Sequence, residues 1–142
     1  MQHRFVEIIP DAVEDDVLYI SLKYCTAIHK CVCGCGNEVV TPISPTDWKL
    51  IFDGKTVSLS PSIGNWNFNC QSHYWIKRNE IVYAREWDKE EIQFGRTNDE
   101  KRKAKYYNKE NESVSSVTKR PKKKKRWKKF LKSIFSFLSN HL

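Results

Sequence analysis

Trp48-Lys-Leu-Ile-Phe52-Asp53-Gly54-Lys55-Thr56-Val-Ser-Leu59 reads as two short strands about a tight turn. Its flanks are rich in β-branched and aromatic residues, which suit a pleated, half-buried surface. Asp-Gly supplies the backbone freedom that a hairpin turn requires. The same signature recurs outward from it. Arg4-Phe-Val-Glu-Ile-Ile9, Val17-Leu-Tyr-Ile-Ser-Leu-Lys-Tyr24 and Glu38-Val-Val-Thr41 precede it, and Tyr74-Trp-Ile-Lys77 and Ile81-Val-Tyr-Ala84 follow, joined by Arg78-Asn-Glu80 as a second hairpin. Pro, Gly, Asp and Asn bound these runs, as expected of strands. The predicted fold is mainly β: a small β domain with hairpins over residues 1–95.

Charge divides the chain at about the same place. Residues 1–95 carry 9 Lys/Arg against 13 Asp/Glu, whereas residues 96–142 carry 16 against 4. The overall charge of +8 therefore combines an acidic domain with a strongly basic tail. Residues 96–118 are polar without a sustained apolar period, the composition of a linker or a frayed helix. From Lys119 a polybasic run leads into Trp127, Phe130, Leu131, Ile134, Phe135 and Leu138, which share one face at helical spacing. A basic amphipathic C-terminal helix over 119–142 is expected, too short and too charged to span a bilayer. Its pattern suits an anionic membrane surface. Nucleic acid ranks below that partner, because phosphate attraction needs no apolar face. No N-terminal stretch has the form of a secretory leader, so the expected location is cytoplasmic, with peripheral attachment at the inner face of the membrane.

Two knots of metal-ligating residues stand inside the β domain: His29-x-Cys31-x-Cys33-Gly-Cys35-Gly and Cys70-x-x-His73. Thiolates and imidazoles are the ligands zinc prefers, and a structural site needs four converging from separate segments. Gly34 and Gly36 let the backbone turn tightly enough for nearby thiolates to face one ion. Five cysteines is an odd number for a disulfide framework. The expectation is Zn2+ on Cys31, Cys33, Cys35 and Cys70, with His29 or His73 as an alternative ligand. A domain of this size has a limited core, so a metal cross-link would support it. Cys25 lies outside both knots and is expected to be a buried strand residue. Catalytic zinc ranks below structural zinc, since the shell is thiolate-rich and no His-Glu-x-x-His helix is present.

The joint pattern of His29-Lys-Cys-Val-Cys-Gly-Cys-Gly36, Val40-Thr-Pro-Ile-Ser-Pro-Thr-Asp-Trp48, Asp53-Gly54, Ser60-Pro-Ser-Ile-Gly-Asn-Trp66 and Cys70-Gln-Ser-His-Tyr-Trp75 resembles a known family. It is similar to the small Cys/His-rich proteins encoded in bacterial ubiquitin-like (Bub-type) conjugation operons. The resemblance spans most of residues 3–87. It implies a role in attaching, maturing or removing a ubiquitin-like modifier, with that modifier and its activating- and conjugating-like enzymes as partners, and an activity of the serine peptidase type.

Such chemistry needs a hydroxyl beside an imidazole, a group orienting the imidazole, and donors for the oxyanion. Ser62, framed by Pro61 and Gly64, is the expected nucleophile. His73 is the expected base, Asp47 the expected orienting group, and the amides about Ile63 and Gly64 the expected oxyanion donors. A turn serine bonded to its own backbone is the plain alternative for Ser62. His73 cannot serve both as base and as metal ligand. If it binds the metal, the competing function is a non-catalytic zinc adaptor that recruits conjugation machinery to a substrate or membrane surface.

Overall fold

The computed structural model describes the backbone of residues 1–118 and the side chains of residues 1–111. The amphipathic helix expected over 119–142 lies outside the described residues. The chain divides into two compact units after Tyr106. The first, Met1–Tyr106, holds every strand among the described residues.

Among the described residues, eight strands form two four-stranded sheets, in the orders β1-β2-β3-β4 and β5-β6-β7-β8. The first contains β1 (Gln2–Phe5), β2 (Val17–Ser21), β3 (Thr26–Lys30) and β4 (Glu38–Pro42); the second contains β5 (Lys49–Phe52), β6 (Val57–Gly64), β7 (His73–Lys77) and β8 (Glu80–Tyr83). All neighbours are antiparallel except β1 and β2, which are parallel. The mainly β expectation holds. One core joins the sheets, built from Leu18, Ile20, Ala27 and Val39 of the first and Val57, Leu59, Ile63, Tyr74 and Ile76 of the second. Every residue of β2 is buried. A parallel pair needs a crossover connection, and here that connection covers the outer side of β2, where Val13 packs with Val17 and Tyr19.

Local chemistry explains where the strands stop. Asp53 accepts the amides of Lys55 and Thr56 and the Thr56 hydroxyl, closing the β5–β6 turn. Three hydrogen bonds hold its carboxyl at about 2. Arg78 and Asn79 both have positive φ, as a two-residue hairpin turn between β7 and β8 demands.

Two expectations need correction. Cys25 is exposed rather than buried: the strand pairing closes at Ser21 and Thr26, so Cys25 falls in the turn, at φ 48. Strand β6 does not end at Leu59 but runs on through Pro61 and Ser62 to Gly64. A register shift between Leu59 and Ile63 admits the proline, which has no amide hydrogen for a ladder. Residues 96–118, expected as a linker or frayed helix, continue helix α1 (Lys89–Thr118). The helix starts on a reciprocal cap: the Glu91 amide donates to the Asp88 carboxylate, and the Asp88 amide donates to the Glu91 carboxylate.

Candidate functional site

Strands β6 and β7 run antiparallel with Gly64 opposite His73. This register, with the irregularity just before Ile63, brings Ser62 Oγ to 3.0 Å from His73 Nε2. The other ring nitrogen, Nδ1, lies 2.9 Å from the main-chain carbonyl oxygen of Arg85. A carbonyl can only accept, so Nδ1 carries the proton and donates it. Nε2 is then left with its lone pair, and the Ser62 hydroxyl donates to it. The local bonding thus sets the tautomer that a general base requires.

Several contacts hold the Arg85 carbonyl in place. The Ala84 amide donates to the His73 carbonyl at 2.9 Å, extending the β7–β8 ladder past Tyr83. The Arg85 guanidinium makes a two-pronged ion pair with Glu91, the same residue that caps α1. Arg85 keeps the Glu91 carboxyl below its ordinary range. The start of α1 therefore fixes the segment that orients His73.

His73 itself is buried. Trp66 and Trp87 lie 5.0 Å from its ring centroid and Trp75 lies at 5.8 Å. The indoles of Trp66 and Trp87 are stacked, 5.5 Å apart and inclined by 17°. The pair opens into a cleft of about 330 Å³ whose lining includes Asp47, Trp48, Ser62, Trp66 and Trp87.

Asp47 lines this cleft but does not orient His73. Its carboxylate accepts from the Ser44 hydroxyl at 2.6 Å and pairs with Lys103 at 2.5 Å. Lys103, then Ser44, hold its carboxyl below the usual range. The cause is local: Ser44 Oγ accepts the amides of Thr46 and Asp47, which curls the Ser-Pro-Thr-Asp turn onto itself. The orienting atom belongs to the main chain of Arg85, and a main-chain carbonyl leaves no mark in a sequence.

The four thiols form a second centre. Cys31, Cys33, Cys35 and Cys70 offer sulfurs that all lie within 4.8 Å of one another. The Cys31–Cys70 and Cys35–Cys70 separations are both 3.8 Å. Tetrahedral zinc with Zn–S of about 2.3 Å places its sulfurs about 3.8 Å apart, so the set fits such an ion. Gly34 and Gly36 both have positive φ, and nothing lies within 4 Å of a Cβ at either, so the requirement for glycine there is purely conformational. The Asn37 amide holds Cys35 down at about 6, which favours its thiolate. Three ligands come from the loop after β3, in the first sheet, and Cys70 from the loop before β7, in the second. An ion here would staple the two layers together.

Neither histidine belongs to this centre. His29 points into the core, where its Nε2 meets the Tyr74 hydroxyl at 2.8 Å. Burial holds its imidazole at about 4 and so neutral. His73 is occupied by Ser62 and Arg85. What sequence reasoning missed is Ser72: its hydroxyl lies 3.1 Å from Cys31 Sγ and accepts from the Asn65 amide at 2.9 Å.

Fold and site together define a small two-sheet β protein with a half-buried serine on a buried histidine, beside a four-thiol centre of metal-binding geometry. The chain belongs to the family described as bacterial ubiquitination-like system serine protease (BubE), whose model matches residues 5–84. It is thereby a component of a bacterial ubiquitination-like system. The match includes Ser62, His73 and all four clustered cysteines, and stops one residue short of Arg85. No curated protein and no solved structure matches the chain. Among the described residues, no helix is long and apolar enough to cross a membrane.

Proposed function

We propose that the protein is a serine-type peptidase that matures or removes a ubiquitin-like modifier, with Ser62 as nucleophile and His73 as general base. The 3.0 Å contact between Ser62 Oγ and His73 Nε2, with Nδ1 committed to the Arg85 carbonyl, carries this reading. His73 takes the hydroxyl proton as Oγ attacks the carbonyl carbon of the scissile bond. The imidazolium then returns that proton to the leaving amine, giving an acyl-enzyme, and water repeats the sequence to release the acid. The main-chain amide of Gly64, two residues after the nucleophile, serves as an oxyanion donor in this scheme, whereas Ile63, expected to join it, pairs with Tyr74 in the β6–β7 ladder. The carbonyl at Nδ1 fixes the ring without supplying a full negative charge, so orientation is its main contribution.

In the same reading the four thiolates hold a structural zinc. With all four positions taken by thiolates, no position is left open for a water. Its contribution is to folding, by joining the loop that follows β3 to the loop that leads into β7 and His73.

The test is labelling with a fluorophosphonate, followed by cleavage of a ubiquitin-like precursor. Wild-type protein should be labelled on Ser62. Ser62→Ala and His73→Ala should lower turnover on the order of 10³-fold or more while metal content stays unchanged, and Ser62→Ala should melt like wild type. A fully active Ser62→Ala protein would refute the nucleophile and leave the non-catalytic adaptor in its place.

A further inference from the structure

The outward face of the second sheet carries a second groove, next to the cleft that Ser62 and His73 line. The register sets Ile51 opposite Ser58 and Lys49 opposite Ser60 on one side, and Trp75 opposite Val82 on the other. The central strand therefore contributes small hydroxyl side chains between apolar flanks. The result is a shallow trough of about 670 Å³, walled by Ile51, Trp75 and Val82 and floored by Ser58 and Ser60. Ile51 is 44% and Val82 39% exposed, although both are aliphatic.

The trough adjoins the cleft at Ser62 and His73 in two places. Along β6, Ser60 lines the trough, while Pro61 and Ser62, next in sequence, line the cleft. Along β7, the Trp75 ring lies 5.8 Å from the His73 ring. The end away from the pair is basic: Lys77 and Arg78 line it, with Lys77 Nζ 4.8 Å over the Trp75 ring. Glu80 is the single acidic side chain in the lining.

We propose that this trough binds the acyl side of the substrate, the extended C-terminal segment of the ubiquitin-like protein that precedes the scissile bond. The proposal rests on the peptidase reading of Ser62 and His73. Precursors and conjugates differ in their leaving groups, and only the acyl side is common to all of them. An enzyme serving all of them must draw its binding energy from that side, and contacts remote from the reacting atoms are what drive the bond into place. Backbone lying along β6 would set one apolar side chain between Ile51 and the Trp75–Val82 wall. A carboxylate further from the bond would meet Lys77 and Arg78. The segment so recognised is extended, with an aliphatic or aromatic residue followed, toward its N-terminus, by an acidic one.

The experiment uses the full chain carrying Ile51→Ser with Val82→Ser, and a second protein carrying Ile51→Thr with Val82→Thr, which preserves the β-branched shape of both strands. Three readouts are taken: fluorophosphonate labelling of Ser62, kcat and KM on the ubiquitin-like precursor, and binding of a synthetic peptide of the modifier's C-terminal residues followed by tryptophan emission. Labelling should stay within about twofold, because the probe does not occupy the trough, while kcat/KM on the precursor falls about tenfold or more, mainly through KM. The peptide should bind wild type and lose at least that factor on the variants. Variants that are labelled normally and process the precursor like wild type overturn the trough. So does a peptide that binds wild type and variants equally, or binds neither. Wild-type protein that is never labelled on Ser62 defeats the nucleophile instead, and the peptide titration still decides the trough.

Discussion

Gly64→Ala is a one-carbon change whose consequence follows from geometry. A Cβ at this position would lie 2.4 Å from Trp66 Cε2, 2.5 Å from Nε1 and 2.6 Å from Cζ2. Carbon atoms prefer separations of about 3.5–4.0 Å, so the indole must retreat by about 1 Å. It has little room, being stacked on Trp87 and packed against His73. Gly64 has no positive φ, so strain from the backbone does not enter. Overpacking of this kind costs about 1–3 kcal/mol. For a unit of this size each kcal/mol lowers Tm by about 4–8 °C. Thermal melts at fixed zinc concentration should therefore show a drop of several degrees, with altered tryptophan emission and a loss of Ser62 labelling as His73 loses its wall. Adding Trp66→Leu removes the clash, so the double variant should recover stability relative to the sum of the single changes, with a coupling of about 1–2 kcal/mol. A Gly64→Ala protein with unchanged melting and emission would refute the packing argument, and additivity in the cycle would refute its assignment to Trp66.

Three further outcomes are expected. Serine at any of Cys31, Cys33, Cys35 or Cys70 should remove the metal and, because structural zinc contributes on the order of 10 kcal/mol of apparent folding energy, collapse the melting transition, whereas Cys25→Ser should change neither; elemental analysis with melts in chelator decides this, and a metal-free protein with normal melting sinks it. Asp47→Asn should leave Ser62 labelling close to wild type, whereas Glu91→Gln should slow it by a few-fold, the size expected when an exposed ion pair is lost; a collapse on the order of 10⁴-fold in Asp47→Asn, as when a true orienting carboxylate is lost, would restore Asp47 to that role. Asp53 is depressed from 3.8 to about 2 in the fold, so its stabilisation is present above about pH 4 and fades as pH falls toward 2; the Tm difference between wild type and Asp53→Ala should shrink over that window, and a constant difference would contradict the turn bonding.

Much of the fold was legible because the strands advertise themselves. Val17–Tyr24 and Trp48–Leu59 concentrate β-branched and aromatic residues between turn formers, and both fell close to the observed strands. Strand β3 escaped because Thr26-Ala-Ile-His-Lys30 offers few strong strand formers and sits between a turn and the cysteine loop. The extension of β6 through Pro61 was hidden by the usual meaning of proline, and only a register shift between neighbouring strands makes it tolerable. The four thiols were legible because ligand type and glycine spacing constrain them directly. The partner of His73 was not, since an Arg85 carbonyl bears no side-chain signature and the match of Arg85 with Glu91 exists only once α1 has started.

The placement of His73, insoluble in one dimension, follows from the geometry of extended chain. Adjacent residues of such a chain point to opposite sides. Ser72 turns its hydroxyl to Cys31, on the side of the thiols, so His73 is turned away from them and toward Ser62. Cys70, Ser72 and His73 thus lie on one short stretch that faces the metal-type centre with one side and the nucleophile with the other. Asn65 mirrors this from β6: three residues after Ser62, it donates to Ser72 Oγ at 2.9 Å, and its amide donates to the Ser72 carbonyl at 2.9 Å. An ion held by Cys70 would therefore also hold the residues that set the Ser62–His73 distance, without contacting Ser62 Oγ or His73 Nε2. In the peptidase reading proposed above, that arrangement is how a thiolate-rich centre would matter to hydrolysis, and it accounts for the closeness of the two knots to Ser62 and His73.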